Sequence, residues 1–132
     1  MEKTITFGIP CYNAAAYMDK CITSILEGAD YAEDVEIVIV DDGSTKDDTP
    51  QKADEWVERY PTIIRAVHQE NGGHGRAVMA AAGAASGAYF KNIDSDDWFD
   101  AEALQRLLTA LRRFNELDDP VDLVITNYVY EH

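Results

Sequence analysis

Cysteine is scarce. Two residues in 132, Cys11 and Cys21, are too few for a disulfide framework and do not form a metal knuckle. They are expected as buried or half-buried thiols of a reducing cytosol. Cations are scarce too: 11 Lys and Arg stand against 25 Asp and Glu, a formal net charge of −14. A nucleic-acid backbone or an anionic membrane needs a cationic face, so neither is the expected main partner. Any anionic ligand must be admitted by a local device, either a metal ion or backbone N–H groups. No apolar run reaches the about 18 residues of a transmembrane helix. The start, Met-Glu-Lys-Thr, lacks the charged-then-apolar layout of a signal peptide. Repeats, linkers and low-complexity tracts are also missing. What is present is an apolar fraction of 46%, enough for a core and too much for disorder.

Apolar β-branched runs alternate with stretches of helical spacing. Thr4–Ile9 predicts a strand. Met18, Cys21, Ile22, Ile25 and Leu26 predict a helix, with Asn13 as its N-cap. Val35–Val40 is a near-continuous apolar run suited to a parallel strand covered on both faces. Thr49 as N-cap and Pro50 at the first helical position predict the next helix. Ala53, Trp56, Val57 and Tyr60 form its apolar face, and Pro61 ends it. Ile63–Val67 predicts a third strand, Gly75–Ala85 a tightly packed Ala-rich helix, and Ala88–Ile93 a fourth strand. Ala101–Phe114 predicts a helix with Leu104, Leu107, Leu108 and Leu111 on one face, and Val121–Val129 a fifth strand. The alternation implies one α/β domain over residues 1–132, a mostly parallel sheet with flanking helices and right-handed crossovers.

Such sheets bind ligands outside the carboxyl ends of their strands. The segments after the first four strands are Pro10-Cys11-Tyr12-Asn13, Asp41-Asp42-Gly43-Ser44, His68–Gly73 and Asp94-Ser95-Asp96-Asp97. They hold most of the unusual chemistry, whereas Glu27–Glu33 and Asn115–Pro120 at the opposite ends are ordinary polar loops. Three carboxylates within Asp94–Asp97 are costly together unless a cation or hydrogen-bond donors neutralise them. Oxygen-only ligands favour Mg2+ or Mn2+, which leaves positions for phosphate oxygens. The plainer reading is a solvated loop in which Asp97 or Asp100 caps the next helix. Asp41 and Asp42 offer a carboxylate to a base ring N–H or to ribose hydroxyls, with Gly43 supplying the turn; a plain β-turn uses the same residues. Tyr12 either stacks on a base or packs. Asn71–Arg76 is Gly-rich and opens a helix, so its N–H groups can face an anion. No Gly-Lys-Ser/Thr follows, so it is not a P-loop. Its place after the third strand is not that of the dinucleotide fingerprint. His74 and Arg76 are its basic residues, and His74 is open to a structural or a ligand-contacting role.

With these residues collected, the sequence resembles the family-2 glycosyltransferases, which have the GT-A fold. Four motifs match in order: Ile9-Pro10-Cys11-Tyr12-Asn13, Val38-Ile39-Val40-Asp41-Asp42-Gly43-Ser44, Glu70-Asn71-Gly72-Gly73 and Asp94-Ser95-Asp96-Asp97-Trp98. The match runs from Thr4 to Asp100. The resemblance implies a Rossmann-like nucleotide-diphospho-sugar transferase fold. The implied reaction is an inverting transfer of a sugar from a nucleotide diphosphate to an acceptor hydroxyl. Implied nucleotide-binding residues are Pro10, Tyr12, Asn13, Asp41, Asp42, Gly73, Asp94 and Ser95. Implied metal ligands for Mn2+ or Mg2+ are Asp96 and Asp94, with Asp97 nearby. The ion would offset the charge of the departing diphosphate. A carboxylate that accepts a ring N–H suits uracil, thymine or guanine, so a UDP-sugar is the first donor to expect. A saccharide or lipid-linked acceptor, polysaccharide biosynthesis, and a cytoplasmic site that is membrane-associated in the full-length protein are family expectations.

The sequence departs from the family pattern in two places. Many members carry a basic residue and an asparagine in the helix after the Gly-rich loop, where this chain reads Arg76-Ala77-Val78-Met79. The family's general base lies well downstream of the Asp-Ser-Asp motif, and no carboxylate from Asp100 to Asp122 is placed for that role; Glu131 is a remote candidate. An inverting displacement needs such a base. The sequence ends at His132, so the catalytic base is expected beyond His132. The expectation is therefore a truncated N-terminal part of a longer enzyme, inactive by itself, with an open sheet edge that favours self-association. The alternatives are a non-catalytic nucleotide-binding module and a nucleotidyltransferase-like domain. The latter would want a basic Gly-rich loop after the first strand, and Pro10–Asn13 has no basic residue. A phosphoacceptor receiver domain needs a lone Asp after the third strand and a Lys after the fifth, where His68 and Tyr128 stand.

Overall fold

The computed structural model describes residues 3–116 and 130–131. Lys3–Cys11 (β1) opens the chain, followed by Met18–Gly28 (α1), Val35–Asp42 (β2), Thr49–Arg59 (α2) and Ile64–Gln69 (β3). His74–Ala84 (α3), Gly87–Asn92 (β4), Trp98–Phe99 (β5), Ala101–Asn115 (α4) and Tyr130–Glu131 (β6) complete the order. The first four strands form one parallel sheet in the order β3-β2-β1-β4. Strand β5 pairs antiparallel with β6, Trp98 opposite Glu131 and Phe99 opposite Tyr130. Two residues are too short for any periodicity, so β5 has no sequence signal. The expected strand Val121–Val129 lies outside the described residues, and so does His132.

Every residue of β2 is buried, as its near-continuous apolar run requires. On one face, Ile5, Phe7, Ile9 and Cys11 of β1 and Ile37 and Ile39 of β2 pack with Met18, Ile22 and Ile25 of α1 and Leu104 and Leu108 of α4. On the other, Val38 and Val40 pack with Ala77 and Ala81 of α3. Helix α3 is Ala-rich because it lies close on the sheet. A Cβ on Gly8 would stand 2.8 Å from the Ala81 methyl carbon and 2.7 Å from the Phe90 ring. A fully buried Ile or Phe contributes roughly 1.5–3 kcal/mol. The β1–β2 centre, sealed on both faces, therefore carries more of the stability than the half-exposed edge strands. Glu36 is the charged exception in that centre, 3% exposed. Its carboxylate accepts from Thr6 Oγ1 at 2.8 Å and from Ser86 N and Oγ at 2.9 and 2.7 Å.

Two expected caps move. Asn13 does not cap α1, which begins at Met18 after a turn closed by the Tyr17 and Met18 N–H groups on the Ala14 carbonyl. Thr49 is the first residue of α2 rather than its cap. Its fully buried hydroxyl accepts the Ala14 N–H at 2.9 Å and donates to Asp47, so it is claimed by the turn after β1. Asp100 caps α4 by accepting the Ala103 N–H at 3.0 Å. Arg112 at the other end of α4 forms a two-bond pair with Asp34, 2.7 and 2.8 Å, and ties the helix to the start of β2.

Candidate functional site

Strand β1 is followed by β2 on one side and has β4 on the other, so the chain reverses its direction of winding there. The carboxyl ends of β1 and β4 are thus the switch point at which open α/β sheets take ligands. A cleft of about 300 Å3 opens at that place. The turn after β1 supplies Pro10, Tyr12, Asn13, Ala14 and Tyr17; the loop after β4 supplies Asp94, Ser95 and Asp96; His74 joins them from the start of α3. Tyr12 and Tyr17 are 52% and 58% exposed, which leaves ring surface free for a flat ligand. A larger groove of about 620 Å3 runs along α4, lined by Glu102, Gln105, Arg106, Thr109, Ala110, Arg113 and Phe114. Among the described residues its lining comes from α4 alone and gathers no cluster of catalytic or metal-binding groups, so the smaller cleft is the candidate site.

Asp94, Asp96 and Asp97 each offer a carboxylate oxygen, all within 4.8 Å of one another. A tight turn gathers them, with the Asp97 N–H donating to the Asp94 carbonyl at 3.0 Å. Hard oxygen donors at this spacing fit a Mg2+ or Mn2+ ion with coordination positions left over. His74 Nε2 stands 3.7 Å from Asp94 Oδ1. Asp100 does not belong to the group, because it caps α4.

Asp41 and Asp42 end β2, and neighbouring strand residues point to opposite faces. Neither lines the cleft directly. Asp41 Oδ1 accepts the Ser44 N–H at 3.1 Å, and its Oδ2 is 3.1 Å from His68 Nδ1. Asp42 reaches the Gly-rich loop instead. Its Oδ1 accepts Gln69 Nε2 and the Gly72 N–H, both at 2.9 Å, and its Oδ2 accepts the Gly73 N–H at 3.1 Å. Burial works against the charged form of Asp42, but these bonds outweigh it and hold the carboxyl below the usual value. Asn71 Nδ2 adds a bond to the Asp42 carbonyl. Gly73 serves as the residue before α3, not as a cleft wall.

Of the residues named from sequence, then, Pro10, Tyr12, Asn13, Asp94, Ser95 and Asp96 meet in one cleft. Asp41, Asp42 and Gly73 stand behind it. The general base expected beyond His132 has no place among the described residues, which stop short of His132 itself. Tyr17 and His68 are the residues that sequence reasoning missed. Tyr17 carries only a faint signal, an aromatic just before an apolar helical stripe. His68 carries none, since its partners lie 27 and 14 positions away. Met79 is 76% exposed on α3. Both cysteines are fully buried, as expected. Burial, with help from Asp41 and Asp47, pushes the Cys11 thiol up to about 12, and burial raises Cys21 as well.

Residues 6–129 match the family described as Glycosyl transferase family 2. Over 109 residues the chain is 34% identical to chondroitin synthase of Escherichia coli, covering 83% of this chain and 15% of that protein. It is similar in structure to S. aureus TarS in complex with UDP-GlcNAc, with 28% identity and a TM-score of 0.68 over 87% of this chain and 32% of that one. It is also similar to the mannosyltransferase PcManGT from Pyrobaculum calidifontis in complex with GDP-Man and Mn2+. The identity there is 27% and the TM-score 0.70, over 82% of this chain and 32% of that one. Two Bacillus subtilis relatives are 32% and 34% identical, and the chain spans 33% of the length of each.

Proposed function

The chain belongs to glycosyl transferase family 2 and has the GT-A fold of its structural neighbours, and on that premise we propose that its cleft binds the nucleotide diphosphate sugar of an inverting glycosyl transfer. The observation that carries the reading is the meeting of six motif residues at the β1–β4 switch point, two of which, Asp94 and Asp96, join Asp97 in a group of carboxylates within 4.8 Å of one another. In this reading Tyr12, with Tyr17 near it, receives the flat base, and Pro10 and Asn13 shape the wall. Asp94 and Asp96 hold a divalent cation, with Asp97 beside them. Bound Mn2+ or Mg2+ supplies positive charge against the leaving diphosphate. That local charge is what lets a chain of net charge −14 accept so anionic a ligand. His74 and the N–H groups at the start of α3 offer further donors to phosphate oxygens. Asp41 and Asp42 contribute by holding the two loops behind the cleft.

UDP is the first donor to test and GDP the second, since neighbours carry UDP-GlcNAc and GDP-Man. The acceptor is a saccharide or lipid-linked hydroxyl, used at the cytoplasmic side in the assembly of a polysaccharide. Among the described residues no carboxylate after Asp97 lines the cleft. The general base that takes the acceptor proton is therefore assigned to the part of the relatives' length that this chain does not span. Calorimetric titration of UDP into the chain, with and without Mn2+, tests the donor site, with Asp96→Ala as control. Metal-dependent binding that disappears in the variant supports it. A folded sample that binds neither UDP nor GDP, with or without the ion, rules it out for this chain.

A further inference from the structure

His68, near the end of β3, stands between two carboxylates. Its Nδ1 is 3.1 Å from Asp41 Oδ2 of β2, and its Nε2 is 2.7 Å from Asp54 Oδ1 of α2. These are the charged groups that face it from the elements packed on β3. A neutral imidazole has one N–H and can donate to only one of them; its other nitrogen would turn a lone pair toward a carboxylate oxygen. The imidazolium donates to both. The bonds to Asp41 and Asp54 accordingly hold the His68 pKa above its ordinary value, against the effect of burial.

The bond to Asp41 leads to the cleft. Asp41 is 4% exposed, and its other oxygen accepts the Ser44 N–H at 3.1 Å. Ser44 Oγ accepts the Asn13 N–H at 2.9 Å. Asn13 Oδ1 in turn accepts the Thr45 and Lys46 N–H groups, each at 3.2 Å. Asn13 sits at φ +50°, a left-handed conformation that these bonds maintain. It lines the cleft next to Tyr12.

We propose that His68 is a positioning residue for the nucleotide: as an imidazolium it fixes Asp41, and through Ser44 and Asn13 it fixes the wall that presents Tyr12. This rests on the reading of the cleft as a nucleotide site. The strap is complete below the ordinary histidine value. As the pH rises through the raised value of the folded protein, the one remaining N–H stays on the shorter bond, to Asp54 at 2.7 Å, and the bond to Asp41 at 3.1 Å is lost.

The test is UDP titrated with Mg2+ into the 132-residue chain from about pH 5.5 to about pH 8.5, a range that spans the ordinary histidine value. His68→Asn and His68→Ala are run beside it. Asparagine keeps a donor toward Asp41 and does not titrate; alanine removes the link. The wild-type affinity should fall about fivefold across the range, the equivalent of one ordinary hydrogen bond. His68→Asn should show no such fall, and His68→Ala should bind weakly throughout. His74 is common to all three proteins, so a wild-type profile kept by both variants overturns the proposal, as does a flat wild-type profile. Amide NMR of the ligand-free chain separates this idea from the nucleotide reading. The Ser44 and Asn13 N–H signals should titrate with the His68 ring in the wild type and stay still in His68→Asn. If they do so while UDP binds at no pH, the strap stands and the nucleotide reading fails. If they ignore the ring, the strap fails whatever the cleft binds.

Discussion

Replacing Asp42 by asparagine breaks the clasp between β2 and the Gly-rich loop while changing almost no volume. The carboxylate is 3% exposed and accepts three donors, Gln69 Nε2 and Gly72 N–H on one oxygen and Gly73 N–H on the other. Asparagine keeps one oxygen and turns an NH2 group toward the donors of the other. The cheaper orientation leaves the oxygen with Gln69 and Gly72 and sets NH2 against the Gly73 N–H. One charge-assisted bond is lost and one donor is left without an acceptor, a cost of about 2–3 kcal/mol. With a urea m value of about 2 kcal/mol/M, the unfolding midpoint drops by about 1 M. The acid dependence gives a second reading. Asp42 has a depressed pKa, so its contribution is present at neutral pH and is lost as the pH falls through its folded value, which lies below 3.8. The wild-type and Asp42→Asn stabilities should therefore approach each other as the pH falls below the ordinary carboxylate value and through the depressed folded one. Hydrogen exchange at Gly73 should be faster in the variant at pH 7, and UDP affinity should fall because α3 is no longer aimed at the cleft. A variant within about 0.5 kcal/mol of the wild type at pH 7, with Gly73 exchange unchanged, refutes the clasp.

Gly43→Ala should cost about 2–4 kcal/mol in urea unfolding. The residue sits at φ +73°, and a Cβ would lie 2.5 Å from the Asn71 backbone nitrogen, which cannot move without the Gly-rich loop. An unchanged midpoint would show that the two loops are not in contact. Glu36→Gln should cost about 1 kcal/mol and Glu36→Ala about 3 kcal/mol, because glutamine can still accept from Ser86 N–H and donate to Ser86 Oγ. Equal costs for the two variants would contradict the bonding described, and neither variant should alter UDP binding by the folded protein. Cys11 and Cys21 should not react with a thiol reagent at pH 8 in the native state and should react fully in urea, because both are fully buried and raised well above that pH. Fast reaction without denaturant counts against the burial.

Residues whose role is local are legible in the sequence. The apolar run Val35–Val40 lies within a strand that is buried along its whole length, and the leucines of Ala101–Asn115 face the core at helical spacing. The acidic loop was legible as well, because three carboxylates in four residues need a reason wherever they fall. The caps depart from expectation where distant groups compete for the same side chain. Asn13 was drawn to Thr45 and Lys46, and the Thr49 hydroxyl to Ala14, so neither was left for its own helix. Strand β5 was invisible because its two residues pair with a partner more than thirty positions on.

The parallel α/β plan, the rim that carries the chemistry and the types of group gathered there are written in the order of residues along the chain. Those follow from periodicity and from the rule that strand ends face the ligand, and both are properties of the local chain. Which strand ends adjoin is a matter of folding in space. Folding set β4 beside β1, so Tyr12 and Asp96 share a cleft although 84 positions separate them. It also decided the work of the two aspartates that end β2. Adjacent in sequence, they serve opposite faces of the sheet because side chains alternate along a strand. Asp41 thus reaches His68, and Asp42 reaches the loop at the start of α3.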